Sequence, residues 1–229
     1  MSASHLNPSE PLVLASGNPH KLEEMNELLA GKLQLVSLSV AAKQRGITVH
    51  EPAEPGLTFE ANAAIKAISY AQQLGMPCLA DDSGLEIDAL GGRPGVISSH
   101  YCTNGAEAGM SRAERDMANN QRVLRELEAV PPAIRAARFV CVLCIAVPSS
   151  AGGPPQVITS IRGTFDGRIG VAEEVPRGAN GFGYDPLFLV SPDFVRTSAE
   201  MSAAEKNRVS HRAVAAAKLV EWVSTFPEQ

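Results

Sequence analysis

The sequence predicts an α/β fold built on a mixed sheet. Short apolar runs suited to strands, such as Leu12-Val13-Leu14-Ala15 and Phe139–Val147, alternate along the chain with amphipathic or alanine-rich stretches suited to helices. Helix-capping signals recur between them, at Thr58, Ser111 and Ser202. Of the 229 residues, 45% are hydrophobic and only 20% charged, enough to bury a sizeable core. Neither an internal repeat nor a composition break divides the chain. A loose polar tail is expected over 1–10 and a single domain over 11–229.

Each element follows from local chemistry. After the strand at Leu12, Ser16-Gly17 turns the chain and Asn18 reads as an N-cap with Pro19 as first helical residue, where proline's missing N–H costs nothing. Leu22, Met25, Leu28 and Leu29 form the apolar side of that helix, and Gly31 suits its C-cap. Leu33–Val40 predicts a second strand. Gly46–Gly56 predicts a loop, and Thr58 caps an alanine-rich helix that Gly75 ends, with Asn62 and Lys66 on one face. Met76–Ala80 reads as a short strand and Asp81-Asp82-Ser83-Gly84 as a turn before Leu85–Leu90. An irregular segment from Gly91 gives way to the capping box Ser111-Arg112-Ala113-Glu114, opening a helix to about Val130. Phe139–Val147 is a buried strand, Pro148–Pro155 a turn, Gln156–Arg162 a strand, Glu173–Pro186 a glycine-rich loop and Leu187–Val190 a short strand. The capping box at Ser202 precedes a closing amphipathic stretch, Val214–Val223.

Composition excludes several classes. The apolar runs fall short of the ~20 residues that cross a bilayer, and MSASHLNPSEP lacks the regions of a signal peptide. A protein without membrane contact, in the cytoplasm, is expected. A net charge of −5 argues against a surface that coats nucleic acid, while leaving room for a small anionic ligand. Cys141 and Cys144 lie three apart in a strand, on opposite faces, and with Cys78 and Cys102 read as small core residues rather than metal ligands. The dinucleotide, P-loop, zincin and α/β-hydrolase signatures are absent.

Four segments carry chemistry. Lys21 falls in the first turn of its helix, where the helix dipole disfavours a cation unless an anion shares the site; a phosphate cradle and a solvated lysine are both open readings. His211 and Arg212 repeat that placement at the last helix, with Lys206 just before them. Asp81-Asp82 brings two carboxylates together at a strand end, which a divalent cation would compensate; Mg2+ takes few protein oxygens, and Glu54 adds one if its loop folds over the same strand end. A solvated turn is the alternative. Gly181-Phe182-Gly183-Tyr184-Asp185-Pro186 offers two rings on which a base stacks, or else a packed turn with both rings in the core.

Taken together, Ser16-Gly17-Asn18-x-x-Lys21, Glu54-x-Gly56-x-Thr58-Phe59-x-x-Asn62-Ala63-x-x-Lys66-Ala67, Ala80-Asp81-Asp82-Ser83-Gly84-Leu85, Gly181–Pro186 and Glu205-Lys206-x-x-x-Ser210-His211-Arg212 closely resemble the inosine triphosphate pyrophosphatase family of the bacterial dITP/XTP type. The resemblance runs from about Leu12 to Val223. It implies a long curved mixed sheet with flanking helices, two lobes with a central active-site cleft, and a homodimer. It also implies Mg2+-dependent hydrolysis of ITP, dITP or XTP to the monophosphate and pyrophosphate. By position, Asp82 would be proton acceptor and metal ligand, Glu54 the second metal carboxylate, and Lys66 a catalytic cation. Ser16, Gly17, Asn18, Pro19, His20, Lys21 and Ser83 would bind chiefly phosphates; Phe182, Gly183, Tyr184, Asp185, Lys206, His211 and Arg212 would surround base and sugar.

Donors facing position six would select a 6-oxo base, because an adenine amino group leaves such donors unpaired; Arg212 and the loop amides are the donors on offer. Ser98-Ser99-His100-Tyr101 departs from the commoner Ser-Ala-Arg-Tyr, so His100 is given no role, and Thr103–Arg112 is expected to stay outside the site. A Maf-type pyrophosphatase acting on pyrimidine nucleotides is a second enzyme reading. A non-catalytic nucleotide sensor, a third, would lack the carboxylates that Asp82 and Glu54 supply.

Overall fold

The computed structural model describes residues 6, 10–16, 19–29, 31–149 and 152–226, with the side chains of Pro19 and His20 outside that description. In chain order the elements are β1 (Leu12–Leu14), α1 (Pro19–Leu28), β2 (Leu35–Ser37), α2 (Leu38–Arg45), α3 (Phe59–Leu74), β3 (Cys78–Ile87), β4 (Pro94–Gly95), α4 (Arg112–Glu126), β5 (Ala136–Val147), β6 (Gln156–Ile169), β7 (Phe188–Val190), α5 (Ala203–Val209) and α6 (His211–Val223). The sheet has seven strands in the order β2-β1-β3-β5-β6-β7, with β4 added beside β3. β1 is parallel to β2 and β3, whereas β4 and β7 run antiparallel to β3 and β6, so the sheet is mixed and the fold is α/β.

The chain forms two compact units, one from residues 1–82, 141–163 and 212–229, the other from 83–140 and 164–211. Each has its own apolar core. In the first, Leu12, Leu14, Met25, Leu29, Leu79, Leu143, Ile145 and Leu219 pack together. In the second, Leu85, Ile87, Tyr101, Val123, Leu127, Ile169, Tyr184 and Phe188 do so. None of the four cysteines forms a disulfide, and Cys78, Cys141 and Cys144 are buried. Burial pushes the Cys78 thiol up to about 12 and Cys144 up to about 11, which keeps them protonated core residues.

Several predicted boundaries hold because their chemistry is local. Thr58 accepts from the Ala61 amide and Gly75 closes α3 with a φ of 61°. Ser111 with Glu114 and Ser202 with Glu205 form complete capping boxes.

Three expectations fail. Leu33–Val40 is not one strand: after three strand residues, Ser37 accepts from the Val40 amide and starts α2, which Gly46 closes with a φ of 65°. A short apolar run carries no period that separates strand from helix. Nor is Asp81–Gly84 a turn, for β3 runs unbroken from Cys78 to Ile87. Turn-type residues are drawn into the ladder because neighbours there take up their polar groups. Lys66 Nζ, for instance, donates to Asp82 Oδ1 at 3.0 Å. β6 also continues to Ile169, well past Arg162.

Candidate functional site

The first unit gathers six charged side chains around β3. Because β3 is a strand, Asp81 and Asp82 point to opposite faces, and each finds its own cationic partner. Asp81 is buried and paired with Lys21, with Arg212 Nε 3.7 Å from its other oxygen. The two cations that sequence placed oddly at helix starts therefore converge on one carboxylate. Lys21 in the first turn of α1 and Arg212 in the first turn of α6 are each offset by Asp81. Arg212 also lies 3.7 Å from Glu24.

Asp82 faces α3. Lys66 Nζ sits between two carboxylates, 3.0 Å from Asp82 Oδ1 and 2.9 Å from Glu54 Oε2. Glu54 reaches it because the preceding loop is pinned: the Gly56 amide donates to Asn62 Oδ1 at 2.8 Å, one turn before Lys66 on α3. A side chain at Gly56 would meet that oxygen at 2.4 Å. The pair Asn62 and Lys66 thus fixes the loop and binds its carboxylate from a single helix face.

Protonation follows from burial and neighbours. Burial alone would lower the Lys66 pKa, but Asp82, Glu54 and Asp81 together raise it. Burial raises Asp82, Lys66 lowers it in part, and the like charges of Glu54 and Asp81 raise it again. One ion pair thus moves both partners upward, since Lys66 faces several anions and Asp82 a single cation. Asp81 goes the other way: burial would raise it, yet Lys21, Arg212 and Lys66 hold it far below the usual carboxylate range.

The donor set suits Mg2+, which needs one or two carboxylates beside water and phosphate oxygens. Asp82 Oδ2 is buried without a hydrogen-bond partner, an acceptor that a hard cation would take up. Among the described residues no three His, Cys, Asp or Glu side chains gather as a metal-holding group, and Mg2+ needs only one or two protein carboxylates.

The second unit carries the glycine-rich loop. Gly181 and Gly183 have φ of 81° and 61°, a left-handed backbone that excludes most residues. Asp185 is the hub: it accepts from the Phe182 amide at 3.0 Å and from Ser198 Oγ at 2.6 Å, and pairs with Lys206 at 2.8 Å. The two rings part company. Tyr184 is buried and its hydroxyl donates to the Ser98 carbonyl at 2.7 Å, as a packed turn requires. Phe182 is 53% exposed, as a stacking surface requires.

Of the remaining predicted residues, Ser16 is half-buried just past β1, and Ser83 follows Asp82 on β3. Pro19 and His20 open α1, while Gly17 and Asn18 lie outside the described residues. His211 starts α6, its ring stacked on Phe139 with centroids 5.4 Å apart. Sequence reasoning missed Asp81 as a partner of Lys21 and Arg212, and it missed Asp116 and Asn120. The latter two bond the Gly183 amide and carbonyl from α4 at 2.9 and 3.1 Å. Arg112, which ends a stretch expected outside the site, lies over the Phe182 ring, 4.2 Å from its centroid.

With this geometry in hand, residues 12–222 match the Ham1 family. The chain belongs to that family. It is 45% identical over 215 residues to a dITP/XTP pyrophosphatase of Ralstonia nicotianae, covering 94% of this chain and 97% of the relative. It is 44% identical over 204 residues to a dITP/XTP pyrophosphatase of Frankia alni, covering 89% and 92%. The solved HAM1 protein from Coxiella burnetii superposes with a TM-score of 0.76 at 39% identity, over 94% of this chain and 99% of that one.

Proposed function

We propose that the protein is an Mg2+-dependent nucleoside triphosphate pyrophosphatase that converts ITP, dITP and XTP to the monophosphate and pyrophosphate, clearing deaminated purines from the nucleotide pool. One observation carries this reading: Lys66 held between Glu54 and Asp82, with Asp82 Oδ2 buried and unpaired. The relatives named dITP/XTP pyrophosphatase support it.

In the reaction, water attacks the α-phosphorus and the bond to the bridging oxygen of the β-phosphate breaks, releasing pyrophosphate. Asp82 orients the water and takes its proton; the raised pKa of this carboxylate suits it to accept one. Lys66 sets the Asp82 carboxylate in place and presents positive charge where negative charge builds on the phosphate oxygens. Lys21, steadied by Asp81, adds a second cation for the phosphate chain. Mg2+, held by Asp82 and Glu54 when bound, supplies charge neutralisation to the phosphates. Phe182 stacks on the base, with Asp185 and Lys206 setting the loop around it.

Incubation of the pure protein with ITP, XTP, GTP and ATP in Mg2+ should release pyrophosphate, fastest from the first two. Orthophosphate release, or ATP preferred to ITP, sinks the proposal, and faster hydrolysis of dTTP or UTP would favour the Maf-type reading. Omitting Mg2+ should stop turnover. A homodimer in the cytoplasm completes the proposal; among the described residues no helix is long and apolar enough to cross a membrane. Sedimentation equilibrium at micromolar concentration checks the dimer.

A further inference from the structure

We propose that α4 is a positioning element for base recognition: Arg112, Asp116 and Asn120 hold the Phe182-Gly183 segment in the one conformation that receives a base. The inference rests on the reading that Phe182–Asp185 binds the base of the substrate. The three residues are spaced four apart, so they lie along one face of the helix. Between them they hold two adjacent loop residues, Arg112 the Phe182 ring and the other two Gly183. Asp116 Oδ2 accepts from the Gly183 amide at 2.9 Å and Asn120 Nδ2 donates to the Gly183 carbonyl at 3.1 Å, so both polar groups of a single residue are taken up one helical turn apart. Arg112 stacks its guanidinium on Phe182, 4.2 Å from the ring centroid.

Gly183 has a φ of 61°, one of several regions a glycine visits when unconstrained. The two hydrogen bonds select it. Asp185 holds the preceding amide of Phe182 from within the loop, so the backbone is fixed on both sides of the exposed ring. A ring that is already immobile loses less freedom when a base stacks on it, and affinity gained that way depends on the fit of the base to a fixed surface. The Asn120 amide is committed to this duty, for its Oδ1 is buried without a hydrogen-bond partner while its nitrogen serves Gly183.

The test uses the full chain with Mg2+, comparing wild type with Asp116→Ala, Asn120→Ala and Asp116→Asn. Amide exchange by NMR should show the Gly183 N–H exchanging at least about tenfold faster in Asp116→Ala, with the core amides unchanged. Both alanine variants should raise KM for ITP about fivefold to tenfold with kcat within about twofold, and lower the ITP-to-GTP ratio of kcat/KM. Asp116→Asn retains an acceptor oxygen and should return KM near wild type. If Asn120→Ala does not fold, Asn120→Asp keeps the shape, removes the donor and carries the same expectation. Unchanged Gly183 exchange overturns the clamp. Faster exchange with unchanged KM and base ratio overturns its role in recognition. A wild type that does not cut ITP defeats the functional reading instead, and the exchange result still decides the clamp.

Discussion

In the first unit the groups around β3 hold one another by charge. Lys66 bridges Glu54 and Asp82, while Lys21 and Arg212 share Asp81, and the atoms involved are largely withdrawn from water. In the second unit the Phe182–Asp185 loop is held mostly through its backbone, by Asp185 from within and by Asp116 and Asn120 from α4. A charge cluster keeps side chains poised but leaves them responsive to any added ion or proton. Backbone hydrogen bonds fix a shape and respond little. Chemistry at phosphorus needs the first property and recognition of a flat base the second.

The largest effect should come from the charge cluster. Asp82→Asn removes the proton acceptor without changing shape and should lower kcat by about a thousandfold, within the range for loss of a general base. ITP binding, read by calorimetry, should persist. Retained turnover would remove Asp82 from the mechanism and leave the cluster a structural one.

Lys21→Ala comes next. Asp81 has a side chain only 2% exposed, and Lys21 is one of the cations that offset it, beside Arg212 at 3.7 Å. Removing one partner of a buried ion pair should cost about 3–5 kcal/mol of unfolding free energy, and KM for ITP should rise with it. Urea denaturation and steady-state kinetics read the two effects. A change in KM with no loss of stability would mean that Lys21 serves the ligand and not Asp81.

The loop of the second unit is probed by Gly181→Ala. A Cβ there would stand 2.0 Å from Asp185 Oδ2 and 2.5 Å from Lys206 Nζ, on a backbone with φ of 81°. The substitution should destabilise by about 1–3 kcal/mol and weaken ITP binding by displacing the Asp185–Lys206 pair. Equal stability would show that the loop yields easily, erasing the contrast with the charge cluster.

How much of each region could be read beforehand follows the same contrast. The Lys66 cluster was legible only in part from local pattern, which put Asn62 and Lys66 on one helix face and offered Glu54 to the Asp82 strand end if its loop folded over it; the part played by Lys66 came from the family resemblance. What escaped was tertiary. The Asp81-Asp82-Ser83-Gly84 run has turn composition, and only the sheet around it makes it a strand that sends the two carboxylates apart. Asp116 and Asn120 meet Gly183 across 67 and 63 residues, and on α4 they look like any polar helix face. The spacing of Arg112, Asp116 and Asn120 was the available signal, indistinguishable from solvated residues without the fold. α2 was hidden for another reason. Its Ser37 cap and Gly46 stop were present in the sequence, but a run of apolar residues beside them suggested a strand.

The smallest effect tests whether a carboxylate of the second unit differs in kind from Asp82. Glu205 closes the capping box of α5, the helix that carries Lys206. It accepts from the Ser202 amide and hydroxyl, each at 2.8 Å, and meets Arg196 at 3.0 Å. The Ser202 amide, then Arg196 and the Ser202 hydroxyl, hold its pKa down to about 2, against an ordinary 4.5. A carboxylate depressed on folding adds stability above its unfolded pKa and loses it as pH falls through the folded one. The contribution of Glu205 should therefore be complete at pH 6, decline below about pH 4.5, and be gone near pH 2. Thermal melts of wild type and Glu205→Gln across that window should converge as the pH drops, because the glutamine cannot ionise. Asp82, whose pKa is raised by burial, predicts the opposite sign: wild type should gain stability relative to Asp82→Asn as the pH drops, because protonation relieves the buried charge. A constant gap between wild type and Glu205→Gln would show that the cap acts through shape alone, and the electrostatic distinction between the two regions would then rest on the buried cluster only.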